Sequence, residues 1–156
     1  VYNQGTSTVI ILDNDTTAMT GHQDHPATGK TIRNLPTRRL DLPALVQAIG
    51  IEHVRIVDPL QLDEFRQTLE EELNRREASV IIAKRPCALL VKKAPDKEFY
   101  VDPELCKSCK LCIKIGCTGI YWVEEDRKAV INPNTCVACG LCPQVCTFDA
   151  IKIVEG

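Results

Sequence analysis

Two short segments hold eight of the chain's nine cysteines: "CKSCKLCIKIGC" over residues 106–117 and "CVACGLCPQVC" over residues 136–146. In each, three thiols recur at three-residue intervals, Cys106, Cys109 and Cys112 in one and Cys136, Cys139 and Cys142 in the other. A fourth follows at Cys117 or Cys146. A structural zinc ion takes two thiols from one knuckle and two from a second, so a third thiol at the same spacing exceeds what one tetrahedral ion uses. The spacing suits an iron–sulfur cube instead, because three thiolates three residues apart can hold three of its corners. In the bacterial two-cluster pattern the fourth cysteine of each run ligates the other cluster, which groups Cys106, Cys109 and Cys112 with Cys146, and Cys136, Cys139 and Cys142 with Cys117. Zinc remains the alternative, and a disulfide framework is disfavoured in a cytosolic chain without a signal peptide. Two features depart from the pattern. Four residues, not three, separate Cys112 from Cys117, and Thr118 and Thr147 stand where proline is usual. The extra residue leaves room for the two clusters to differ. Cys87 has no place in this scheme and reads as a small buried hydrophobe on an apolar strand.

A second group of chemistry-bearing residues follows the first apolar run. In "ILDNDTTAMTGHQ", Asp13, Asn14, Asp15 and the hydroxyls of Thr16, Thr17 and Thr20 are hard oxygen donors at the carboxyl end of a strand, where open α/β sheets bind ligands. Magnesium prefers such donors and shares them with phosphates, so an anion and its metal would fit. The plainer reading is a solvated loop whose Asx and Ser/Thr side chains cap turns. "GKT" at residues 29–31 lacks the earlier glycine of a phosphate-cradling loop, since Asp24 occupies that place. His22 and His25 lack a third convergent ligand and read as pocket lining or loop polar groups.

The elements that position these groups alternate in type. Apolar β-branched runs at 7–13, 53–58 and 79–84 predict strands, the last extended by "ALLVK". Between them, "LPALVQAIG" has Pro43 in a first helical turn and Gly50 at its stop. Leu62, Phe65, Leu69 and Leu73 predict an amphipathic helix over 61–77 with the acidic run 70–72 in water. Alternating strands and helices predict a parallel sheet. Composition shifts at "KKAPDKEF", which places a domain boundary near residue 97. Beyond it, "DPELCKSCKLC" at 102–112 repeats as "NPNTCVACGLC" at 132–142, a constant offset of 30 that implies a pseudo-twofold module.

Composition bounds the partners. With 44% hydrophobic and 26% charged residues, the 156-residue chain reads as globular, and a net charge of −2 with 4% aromatics argues against nucleic acid. No apolar run approaches membrane-spanning length and no signal peptide is evident, so no membrane is expected and the cytoplasm is the expected location. Residue 1 is Val, and the one methionine, Met19, lies inside a motif, which gives the expectation of a C-terminal piece of a longer chain.

"STVIILDNDTTAMTGHQDHPATGKT", followed by "SVIIAKRPC" and the two cysteine runs, resembles the C-terminal half of the α subunit of indolepyruvate:ferredoxin oxidoreductase. That family comprises thiamin-diphosphate-dependent 2-oxoacid oxidoreductases. The resemblance implies part of a parallel-sheet, thiamin-diphosphate-binding α/β domain over residues 1–97. A small α+β ferredoxin-like domain with two [4Fe-4S] clusters would follow over 98–156. It further implies that Asn14 and the backbone carbonyl of Thr16 hold Mg2+ of the diphosphate, that Asp13 belongs to the same cofactor site, and that Thr20, Gly21 and His22 lie near the pocket. The acidic partner of Asn14 in the family would precede residue 1, and the glutamate that activates the cofactor would lie elsewhere, so the chain alone is expected to be inactive. The implied reaction is oxidative decarboxylation of an aryl 2-oxoacid to acyl-coenzyme A. A β subunit and ferredoxin would be the protein partners. Two other readings stay open: a free-standing carrier of electrons, and a zinc-bound interaction module.

Overall fold

A computed structural model describes residues 1–91 and 97–154, and the chain divides into two compact units, Val1–Val91 and Lys92–Gly156. Part of the composition shift around residue 97, residues 92–96, lies outside the described residues.

The first unit is a three-stranded parallel sheet. Strands β1 (Thr8–Asp13), β2 (His53–Val57) and β3 (Ser79–Lys84) lie in the order β1-β3-β2, with Ile11 and Ile56 both in register with Ile82. The central strand is the most apolar run because both faces are covered: Val80, Ile81, Ile82 and Ala83 are all buried. Burying each Val or Ile removes enough apolar surface to contribute about 1.5–3 kcal/mol. Helix α1 (Leu42–Ala48) covers one face, packing Val46 and Leu42 against Val80, Ile82 and Ile11. Its start is fixed by Asp41, whose side chain accepts from the Ala44 amide at 3.0 Å, and Gly50 follows its end at φ +91°.

Helix α2 (Leu62–Leu73) is shorter than the predicted 61–77, and its buried stripe is rotated from the expected one. Glu72, expected in water, is fully buried, whereas Leu73 is 62% exposed. The reason is pairing: the Arg75 guanidinium donates two hydrogen bonds to Glu72, at 2.9 and 3.2 Å, and holds its carboxyl below the usual range despite burial. The Glu72 backbone carbonyl accepts from the Thr8 hydroxyl at 3.0 Å, which ties α2 to β1. The predicted extension of β3 does not form. Pro86 follows Arg85 and the chain turns at 88–90. Cys87 is therefore neither on the strand nor buried: it sits half-exposed in the segment after β3.

The second unit is built twice from one plan. Strand β4 (Glu98–Val101) leads into the first cysteine run and β5 (Ile120–Val123) leaves it; β6 (Lys128–Ile131) leads into the second and β7 (Ile151–Val154) leaves it. Each strand pairs with its non-equivalent partner from the other repeat, β4 with β7 and β5 with β6, both antiparallel. The crossed pairing makes one core from two halves, in which Ile120, Ala129, Ile131, Cys142 and Ile151 are buried. The sequence repeat has a structural cause at its first residue. Asp102 Oδ1 accepts from the Glu104 amide at 2.9 Å and Asn132 Oδ1 from the Asn134 amide at 2.9 Å, while their backbone carbonyls accept from Cys106 and Cys136 at 3.0 and 2.9 Å. Among the described residues no helix is long and apolar enough to cross a membrane.

Candidate cofactor and cluster sites

At the carboxyl end of β1 the backbone turns sharply through Asp15, at φ +58°. Asn14 Oδ1 accepts from the Thr16 amide at 3.2 Å, an Asx turn that orders the loop. The Asn14 carbonyl accepts from the Cys87 amide at 2.9 Å and the Asp13 carbonyl from the Arg85 amide at 3.0 Å, so the segment after β3 clamps the loop from the neighbouring strand. Neither Cys87 nor Arg85 was legible as part of this site, because their contribution is a backbone N–H set by strand register. Arg39 adds an ion pair to Asp15 at 2.8 Å.

Thr16 is buried, and its hydroxyl donates to the Gln23 carbonyl at 3.4 Å. The Thr17 amide donates to the same carbonyl at 3.0 Å, which closes residues 17–23 into a small loop. Gly21, at φ +110°, and His22, at φ +63°, form its left-handed turn. The Thr20 hydroxyl is hydrogen-bonded to Gln23 Oε1 at 2.7 Å. His22 is exposed, and His25 is taken up in capping, its Nδ1 accepting from the Ala27 amide at 3.2 Å.

The donors left over suit a divalent cation and its anion. An amide oxygen has two lone pairs, of which the Asx turn uses one at Asn14. The Thr16 carbonyl accepts no hydrogen bond among the described residues. Among the described residues Asp13 Oδ1 is buried without a hydrogen-bond partner, and its other oxygen lies 3.9 Å from Lys84 Nζ. A buried carboxylate oxygen in that state costs free energy until a donor or cation meets it. These are hard oxygen donors of the kind magnesium takes.

All nine cysteines are free, and eight of them lie in the second unit. Cys106, Cys109, Cys112 and Cys146 line one apolar cavity, so the structure brings the first quartet together across the two repeats. Burial and its three companions, Cys109, Cys106 and Cys146, push the Cys112 thiol up. Cys142 behaves likewise in the other quartet: burial, with Cys136, Cys139 and Cys117 beside it, pushes its thiol up to about 12. The groups that perturb each buried thiol are thus the three other members of its own crossed quartet, Cys146 reaching the first and Cys117 the second. Among the described residues no three Cys, His, Asp or Glu converge closely enough for a single metal ion.

Backbone amides point at three of the sulfurs: Gly119 N–H donates to Cys117 Sγ at 3.3 Å, Ala138 to Cys136 at 3.4 Å and Ala150 to Cys146 at 3.3 Å. Hydrogen bonds of this type stabilise charge on ligating sulfur and set cluster potentials. The extra residue of the first run is absorbed by a 3-10 turn at Ile113–Ile115 closed by Gly116 at φ +71°, where the second run has α3 (Leu141–Gln144).

The family model for the thiamine pyrophosphate enzyme C-terminal TPP-binding domain matches residues 1–83, the span that carries the parallel sheet and the β1 loop. The chain belongs to that family. Along its length it is similar to indolepyruvate oxidoreductase subunit IorA of Pyrococcus abyssi, 38% identical over 164 aligned positions that cover 100% of this chain and 25% of the relative. The corresponding subunit of Pyrococcus horikoshii is 37% identical over 100% and 25%. That of Thermococcus kodakarensis is 35% identical over 97% and 24%. The chain spans about a quarter of the length of these curated relatives. No solved structure matches it.

Proposed function

We propose that this chain is the portion of a cytoplasmic 2-oxoacid oxidoreductase that anchors thiamin diphosphate and carries electrons away from it. Residues 1–97 serve as part of the cofactor-binding domain and residues 98–156 as a ferredoxin-like domain with two [4Fe-4S] clusters. When bound, thiamin diphosphate supplies the electron sink for decarboxylating the 2-oxoacid, and the clusters supply one-electron storage. Asn14 Oδ1 and the Thr16 carbonyl hold Mg2+, and Asp13 closes the same site beneath them. Thr20, Gly21 and His22 form the loop that borders the pocket. Cys106, Cys109, Cys112 and Cys146 hold one cluster, and Cys136, Cys139, Cys142 and Cys117 the other. An aryl 2-oxoacid and coenzyme A are the substrates, by likeness to the indolepyruvate relatives. A β subunit completes the enzyme, and ferredoxin accepts the electrons.

The observation that carries this reading is the coexistence, in one chain, of a TPP-binding domain and eight cysteines grouped as two crossed quartets. The test is retention of thiamin diphosphate and magnesium by the assembled enzyme after gel filtration. Asn14→Ala should release most of the cofactor while leaving iron content unchanged. Retention equal to the unaltered enzyme would remove Asn14 from the site. If the unaltered enzyme is colourless and binds zinc, the interaction-module reading replaces this one. If it is brown but indifferent to thiamin diphosphate, the free-standing carrier does.

A further inference from the structure

The two cysteine loops share a backbone but not a charge. Ser108 and Ala138 take left-handed φ values of +61° and +54°, and Lys110 and Gly140 take +62° and +76°, each pair thirty residues apart. On the same offset, Lys107, Lys110 and Lys114 correspond to Val137, Gly140 and Gln144. No charged residue occurs from 132 to 148. The contrast is sharpest at Lys110, which holds a conformation that is unfavourable for an L-residue and free for the glycine in the matching place. Its ammonium lies 4.1 Å from the centre of the Trp122 ring and 3.8 Å from Glu124 Oε1.

All three lysines are exposed, as is Cys109 between them. Lys107, Lys110 and Trp122 line the same cavity as the first quartet. Lys128 adds a fourth cation, donating to the Cys106 carbonyl at 2.5 Å. The opposing acids are Glu104, at the start of the loop, and Glu124, Glu125 and Asp126 on the turn between β5 and β6. Among the described residues only Glu124 is paired with one of the three lysines, in an exposed contact that an incoming carboxylate can replace.

We propose that the lysine-bearing loop is where electrons leave the unit: an acidic one-electron carrier protein docks on Lys107, Lys110 and Lys114, beside the cluster of the first quartet. This rests on the cluster reading above. One electron passes from the reduced first cluster to the oxidised carrier; no bond forms or breaks and no proton moves. The lysines steer the encounter and fix its register, which acts on association rate and on salt dependence. The uncharged second loop offers no such handle.

The test uses the assembled enzyme, reduced with dithionite and freed of excess reductant, then mixed rapidly with one of two oxidants. One is a two-cluster ferredoxin of strongly negative net charge; the other is methyl viologen, a small dication that needs no lysine face. The variants are K107Q/K114Q and K107E/K114E, which leave Lys110 on Trp122. Ferredoxin reduction should slow about tenfold in the first and further in the second, with a flatter salt dependence, while dye reduction stays within about twofold. Unchanged ferredoxin rates and salt dependence in both variants, with iron retained, would overturn the proposal, and so would an equal loss with both oxidants. An unaltered enzyme that holds no iron or sulfide would instead sink the cluster reading on which it depends.

Discussion

The first and second cysteine loops begin with the same Asx turn, pass through left-handed residues at the same two positions, and present three thiols at the same spacing. One carries three lysines and a 3-10 turn; the other carries valine, glycine and glutamine and a short helix. The difference teaches that ligand geometry and electrostatic surroundings are set separately. Backbone turns fix where the sulfurs stand, and the side chains between them are free to diverge. The crossed strands β4 with β7 and β5 with β6 join the two halves, and Cys146 of the second run lines the cavity of the first.

The largest break in this comparison comes from removing one buried ligand. Cys142→Ser should abolish the second cluster and leave the first, so that iron per reconstituted chain falls from about eight to about four. Complete loss of both, at retained secondary structure by circular dichroism, would show that the quartets fold as one unit and not as two sites.

A pH dependence follows from the same thiol. Burial, with the neighbouring thiolates, raises the Cys142 value from 9.0 to about 12 in the folded chain. A folded value above the unfolded one contributes stability that is fully present below about pH 9 and is lost as pH rises toward about 12. The cluster-free chain should therefore show a falling urea midpoint over that window. In the loaded chain iron holds the thiolate, so the second-loop contribution to this decline should vanish.

Two glycines separate sulfur geometry from loop flexibility. A Cβ on Gly119 would meet the Cys136 backbone at 3.2–3.3 Å, beside the amide that donates to Cys117. Gly119→Ala should cost about 1–3 kcal/mol and shift the second cluster's potential. A Cβ on Gly116 would meet nothing within 4 Å, so Gly116→Ala should cost only the left-handed backbone strain, roughly 1 kcal/mol, with both potentials unmoved. Denaturant unfolding and a redox titration of both variants check the pair. The smallest effect belongs to Lys110→Gly. It relieves strain of roughly 1 kcal/mol and gives up a cation–π contact of about 0.5–1 kcal/mol, so stability should hardly change while the first cluster alone becomes harder to reduce. A shift of equal size in both clusters would contradict the loop-specific assignment.

Much of this was legible in the residues. The β-branched runs mark all three parallel strands, and the 102–112 and 132–142 repeat marks the twofold plan. What sequence patterning misread has local causes. Periodicity placed Glu72 in water because it does not register an arginine three residues on that makes burial of a carboxylate tolerable. It extended β3 through Pro86 because the apolar run resumes beyond it. The clamp of Cys87 and Arg85 amides on the β1 loop left no trace at all, since any residue but proline supplies the same N–H. Nor does the one-letter string show that Lys110 occupies the glycine conformation of its twin.

Iron and sulfide analysis of the double variant C109S/C146S, reconstituted anaerobically, tests the crossed two-cluster arrangement most directly. Both substitutions fall in one quartet, so the chain should keep the second cluster and hold about four irons and about four sulfides. If each run instead supplied all four ligands of its own cluster, both sites would be broken. A chain with no iron or sulfide, while the unaltered chain holds its full complement, would contradict the account.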